Sequence, residues 1–270
     1  MNGAICQSRS KVMAVRRLVG ARTRVEWTDT FDDLPEAESP LLAATILRVW
    51  ALDYLARPNG ELGRDGPVCP YVKPAIAHHA LRSVFISGDT ELSVERMCAV
   101  VDDAVDLFLA LTRPEGAGAQ QQALLVVFPD LTDFTRVDAV HAARKGKCVA
   151  AGMMLGQFYP GCGQPGLWSK DFRPLDAPLP MLVVRNMMPS DYPFLVGNSE
   201  WLFAYMSRFG RALPVKLRRS IAEHLHSAVA DNADAITEHR VHSIEDFAGP
   251  RPESAGGVGT VARMRRSGDA

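Results

Sequence analysis

Apolar positions recur three and four residues apart through "SPLLAATILRVWALDYLARPNG", where Leu42, Ile46, Val49, Leu52 and Leu55 form one stripe. That spacing predicts an amphipathic helix packed on a core through those residues. Ser39 stands as its N-cap, Pro40 at the first helical position, and "RPNG" stops it. The same period returns at Val94, Met97, Cys98, Val101, Val105 and Phe108 behind Ser93, and at Phe134, Val137, Val140 and Ala143 behind Asp130 or Asp133. A further helix follows from "NSEWLFAYMSRFG", capped by Asn198 or Ser199, and a long one from "LPVKLRRSIAEHLHSAVADNADAITEHR", striped by Leu217, Ile221, Leu225 and Val229. Between them lie short apolar runs that predict strands: "SVFISG", "ALLVVFPD", "MMLGQFYPG" and "PMLVVRNMM". The second is continuously apolar and rich in β-branched residues, as a buried central strand would be.

Strands alternating with helices, then a hairpin-like pair, predict an α/β sandwich: a mixed sheet of about four strands with helices packed against it. No internal repeat or second core breaks the pattern, so a single domain is expected over residues 38–240. Residues 1–37 are read as a poorly ordered extension rather than a signal or transit segment. Residues 241–270, poor in large apolar side chains, are read as a disordered tail.

Composition narrows the function. The 270 residues are 47% hydrophobic, enough for a real core. Thirty Lys and Arg nearly cancel 31 Asp and Glu, and a net charge of −1 supplies no field for nucleic acid or an anionic membrane. No apolar run approaches the roughly 18 residues of a membrane span. Five cysteines, Cys6, Cys69, Cys98, Cys148 and Cys162, are odd in number and form no CxxC pair, which fits free thiols in a reducing cytoplasm. A small-molecule ligand is the partner that remains.

Several standard sites drop out. "GGVGTVA" matches a GxGxxA fingerprint at Gly257, Gly259 and Ala262, but no strand precedes it. There is no P-loop, GxSxG elbow or HExxH helix, and no motif assigns a cofactor. His78 and His79 adjoin on a predicted helix with side chains about 100° apart, poorly placed to share an ion. His141, His224 and His226 read as surface or packed imidazoles.

Two loops stand out instead. "GRDGPVCPYV" sets Cys69 beside Pro70, near a helix start and among the amides of Gly66, Val68 and Cys69; "GQFYPGCGQPGLW" carries Tyr159, Gly161, Cys162 and Gly166 past a strand end. Open sheets place ligands at such ends, and glycine permits close backbone approach. Cys69 has three readings: a nucleophile activated by nearby amides, a small packed hydrophobe, or a haem or metal ligand. Tyr159 would serve as proton donor or orienting hydroxyl on the same hollow. Arg185 and Asn186 end the strand "MLVVRN", predicting a guanidinium on the Tyr159 rim to clamp an anion; an ion pair with Asp130, Asp133 or Asp191 is the competing reading. Asp130 is counted among the ligand-facing residues.

Together "LGRDGPVCPYV", "LLVVFPDLTDF" and the stretch from "GMMLGQFYPGCGQPGLW" to "PMLVVRNMMPSDYPFL" resemble the bacterial domain-of-unknown-function family 6875, with its blocks GRxGxVCPFV, FPDL, GxFHPxxxxPGL and PLRSPxPxLxxRHM. The likeness spans residues 61–195. It implies no reaction. Tyr159 and Asn186 stand where the pattern carries histidines, so any function that needs those imidazoles is altered here. The sequence thus leaves three readings: a small-molecule enzyme, of specialised metabolism among other settings; a metabolite-binding accessory protein; and a haem or metal protein.

Overall fold

The strand β4, Ala123–Val127, is buried at all five positions, as its unbroken "ALLVV" predicts, and the sheet is built around it. In the computed structural model, which describes residues 18–31, 40–88, 92–111, 121–167 and 169–226, six strands run in the order β1-β2-β3-β4-β6-β5. They are β1 (Leu18–Val19), β2 (Glu26–Asp29), β3 (Leu81–Phe85), β4, β5 (Met153–Phe158) and β6 (Met181–Asn186). β3 and β4 are parallel; every other pairing is antiparallel. The helices are α1 (Pro40–Val49), α2 (Val72–Ala77), α3 (Val94–Leu111), α4 (Thr135–Ala150), α5 (Ser199–Phe209) and α6 (Val215–His226). The expected α/β fold is present.

Side chains alternate across a strand, so the sheet has two distinct faces. On one, Val84, Leu124, Val126, Leu155, Leu182 and Val184 pack against Val101, Val105 and Phe108 of α3 and Val137, Val140 and Cys148 of α4. On the other, Leu125, Val127, Met181 and Val183 meet Ala43 and Leu47 of α1 together with Ala177 and Leu179. A third cluster, with Tyr192, Tyr205 and Leu217 at its centre, joins α5 and α6 to the end of α4.

Three differences from expectation have physical causes. The sheet has six strands rather than about four, because residues 18–29 add β1 and β2 at one edge. These strands are two and four residues long, too short for a period to show, and Asp103 of α3 fastens their hairpin. In α1 the buried positions are Ala43, Ala44, Leu47 and, beyond its end, Ala51; of the expected stripe Ile46 and Leu55 are partly buried against the core, whereas Leu42, Val49 and Leu52 are exposed. The helix turns its small side chains to the sheet, which allows close approach and outweighs the bulkier stripe. After Val49 the winding loosens to a π-helical turn over Trp50–Leu55. Finally, "SVFISG" forms its strand two residues earlier than its apolar run suggests, at Leu81–Phe85. Ser39, the last stretch of the long helix, the GxGxxA match and the termini lie outside the described residues.

Candidate functional site

The second sheet face is only partly covered by α1, and the gap is a cavity of about 590 Å³. Its floor is one row of side chains: Leu81, Ala123, Arg185 and Met154 are neighbours across β3, β4, β6 and β5, with Leu125, Val183 and Gly156 in the next row. Gly156 keeps that floor low, since a Cβ there would meet the Phe158 ring at 3.0 Å. Trp50 and Phe158, ring centres 6.0 Å apart, make the apolar wall. The two loops singled out in the sequence supply the remaining sides, through Cys69 and Tyr71 on one and Gln164 and Gly166 on the other. Gly166 donates its N–H to the Phe172 carbonyl at 2.8 Å, and a Cβ at that position would crowd the Ser169 carbonyl at 3.1 Å.

Cys69, Arg185, Asn186 and Gly166 therefore share one hollow. Tyr159, Gly161, Cys162 and Asp130 are not among the residues that line it. Tyr159 follows Phe158 on the strand path and so faces the opposite side of the sheet, where it stacks on Phe134 at 5.3 Å and donates its hydroxyl to Asp138 at 3.0 Å. Burial, then the Asp138 contact, push its phenol well above the usual range. Cys162 is buried beside it. Gly161, with φ +76°, makes a left-handed turn and donates to Asp176. Asp130 accepts the Gly88 N–H and ties the ends of the parallel strands together; Asp133, just before the cap position Phe134, accepts the Thr135 N–H of the first turn of α4 at 3.2 Å.

Arg185 also misses the Tyr159 rim. β5 and β6 are antiparallel, and Arg185 pairs with Met154 near the start of β5. Tyr159 lies five residues further, about 16 Å along the strand direction. The guanidinium makes a two-pronged ion pair with Asp191, both contacts at 2.7 Å, and Nη1 also donates to the Asn186 carbonyl. Burial works against its charge, but Asp191 outweighs it and raises the pKa. Even so, 38% of the Arg185 side chain is accessible against 4% for Asp191. Three of its five N–H donors are used by these contacts, which leaves two at the cavity wall.

The first loop differs from expectation in its backbone. The amides of Val68 and Cys69 donate to the carbonyls of Arg57 and Leu55 at 3.0 and 2.8 Å, so neither is available to an anion. Cys69 lies close enough to Arg185 that a charge on it contributes to raising the guanidinium pKa. Cys69 is half-buried and also packs beside Ala51, Ala56 and Val72.

Lys145, unnamed in the sequence reading, and His141, read there as a surface or packed imidazole, both face the cavity from α4. Both donate to one acceptor, the Leu155 carbonyl on the outer side of the edge strand β5, at 2.9 and 3.0 Å. Because a carbonyl only accepts, His141 carries its proton on Nε2. The available signal was positional: Val137, His141, Lys145 and Cys148 follow the helical period, placing two ionisable groups on a buried stripe. Gln122, 6% exposed, adds a buried amide nitrogen with no hydrogen-bond partner among the described residues, and it too lines the cavity.

Burial, and then the Lys145 charge, lower His141 from 6.5 to about 4. The folded state therefore binds fewer protons than the unfolded chain between those values. Stability contributed by the neutral imidazole is complete above pH 6.5 and is lost as pH falls toward 4, a cost of up to about 3 kcal/mol. Urea denaturation at pH 7.5 and 5 is expected to show this loss, and His141→Gln, which keeps a donor for Leu155, to flatten it.

Among the described residues no group of three or more His, Cys, Asp or Glu side chains is arranged to hold a metal ion, and no helix is long and apolar enough to cross a membrane. A family model described as domain of unknown function (DUF6875) matches residues 44–220. No curated protein and no solved structure matches the chain.

Proposed function

Since the chain belongs to the DUF6875 family, whose match runs from α1 into α6 and takes in nearly every wall of the cavity, we propose that the protein is a small-molecule enzyme working inside that cavity. Its substrate is a compact molecule with an apolar body and an anionic end. The observation that carries this reading is the meeting of Cys69, the open side of Arg185 and the Trp50–Phe158 wall on one hollow about the size of a metabolite. The apolar body lies against the aromatic wall, and the anion takes the two guanidinium donors that Asp191 leaves. Cys69 is the nucleophile, facing the same hollow as Arg185. Four unpaired cysteines among the described residues support a reducing compartment, hence a cytoplasmic and, with the family resemblance, bacterial setting.

One observation favours a binding protein without chemistry: Tyr159, the expected proton donor, is engaged with Asp138 on the far face. Alkylation by iodoacetamide at neutral pH separates the two readings. The enzyme reading expects Cys69 to react at least tenfold faster than glutathione, and Arg185→Gln to remove most of that advantage. A Cys69 no faster than glutathione supports a packed thiol in a binding pocket. Tyr159→Phe is expected to leave the alkylation rate unchanged within twofold, because its hydroxyl does not reach the cavity.

A further inference from the structure

Lys145 is 5% exposed, yet no carboxylate pairs with it among the described residues; its ammonium donates only to the Leu155 carbonyl. A buried amine without a counter-ion is costly, and folding alone gives no reason to retain one where α4 could present an apolar residue to the sheet edge. The amine faces a cavity, and the neighbouring ionic groups are the Arg185–Asp191 pair and His141. Arg185 opposes its protonation, while Asp191 and Cys148 each favour it more weakly. Burial, then Arg185, bring the ammonium down from 10.5 to about 8, so a usable fraction is the free amine near neutral pH. A second buried group in the same cavity, the Gln122 amide nitrogen, waits for an acceptor.

We propose that Lys145 is a covalent catalytic residue that captures a carbonyl compound: an aldehyde or ketone bearing a carboxylate enters the cavity, sets its carboxylate on Arg185 and forms a Schiff base with the Lys145 Nζ. The neutral amine attacks the carbonyl carbon with its lone pair, forming the C–N bond while the C=O electron pair moves to oxygen. A proton passes from nitrogen to that oxygen; the nitrogen lone pair then forms the C=N bond as the hydroxyl departs, and the second N–H proton leaves with it as water, giving the imine; no oxidant or reductant enters. The apolar body of the substrate lies toward Trp50 and Phe158. This assignment rests on the cavity reading above, and it names the substrate class: oxo acids with an apolar substituent.

The full chain is incubated with phenylpyruvate, an aromatic oxo acid, and sodium cyanoborohydride, which reduces an imine to a stable amine; the adducts are then mapped by peptide mass spectrometry. Lys147, two residues away on α4 and exposed, is the internal control. The expected result is labelling of Lys145 at least tenfold above Lys147, with Lys145→Met losing that adduct and Lys145→Arg, which keeps the charge, losing it equally. Because the map is read on the wild-type chain, it does not depend on either variant folding. Separately, phenylpyruvate without reductant is tested for protection of Cys69 from iodoacetamide. Protection with no Lys145 adduct overturns the Schiff base and leaves the cavity reading standing. Even labelling of all lysines with no protection overturns both.

Discussion

Replacing Asp103 with alanine is expected to cost about 3–5 kcal/mol of stability and to release the β1–β2 hairpin from the sheet. The Asp103 side chain, fully enclosed on α3, anchors the turn between those strands. One oxygen accepts the Arg22 N–H at 2.9 Å and the Arg22 guanidinium at 3.2 Å; the other accepts the Thr23 N–H at 2.8 Å and its hydroxyl at 2.6 Å. Four donors thus converge on two oxygens from a part of the chain some eighty residues away. Burial pushes the carboxyl pKa up, but these hydrogen bonds from Thr23 and Arg22 together outweigh it and leave it lowered. Its contribution is therefore present above the ordinary carboxylate range and is lost as pH falls below it. Asparagine should rescue little, since an amide NH₂ would face backbone donors. Gly20 completes the joint, because a Cβ there would come within 2.3 Å of Asp103 Oδ2. Urea titration, with amide exchange read at Trp27, tests this: an Asp103→Asn protein as stable as wild type would show that the carboxylate network does not hold the hairpin.

The second large effect is expected from Asp191→Ala, a loss of about 3 kcal/mol. Asp191 is nearly enclosed, and it accepts the Met188 N–H at 2.7 Å as well as both prongs of the Arg185 pair. Without it the guanidinium is left charged beside an apolar cavity, while the turn at Met188 loses its cap. The figure stays at the low end of the range for broken buried pairs because the accessible part of Arg185 retains contact with cavity water. The variant should also become anion-dependent. Added phenylpyruvate is expected to raise its thermal midpoint by several degrees more than that of wild type, because a ligand carboxylate then supplies the missing partner. Equal shifts in the two proteins would mean that the carboxylate does not bind at Arg185.

Much of the architecture was legible along the chain. The periods of α3 and α4, the unbroken run of β4 and the hairpin-like strands β5 and β6 arise from repeats of 3.6 and 2, which depend only on residue order. The two loops were legible for a related reason: glycine and proline restrict or free the backbone wherever they stand. The α1 stripe misled because amphipathicity records which side of a helix is greasier, whereas packing here selected the side with small residues. Lys145 was passed over because an ionisable side chain on an apolar stripe is ordinarily read as solvent-facing, and His141 was read as a surface or packed imidazole with no tie to a cavity.

The sequence by itself determined that the chain builds a mixed α/β sheet, that two glycine- and proline-rich loops flank it, and which family it belongs to. Local order suffices for those results. Only the tertiary structure decided which side chains meet. One step along an extended strand reverses a side chain's face, which carried Tyr159 away from Cys69, and one antiparallel pairing placed Arg185 at the opposite end of β5 from Tyr159. The same pairing brought the edge carbonyl of Leu155 to α4, and with it a lysine into the cavity. Strand register and crossover are contacts between distant residues, so no local pattern encodes the composition of the site.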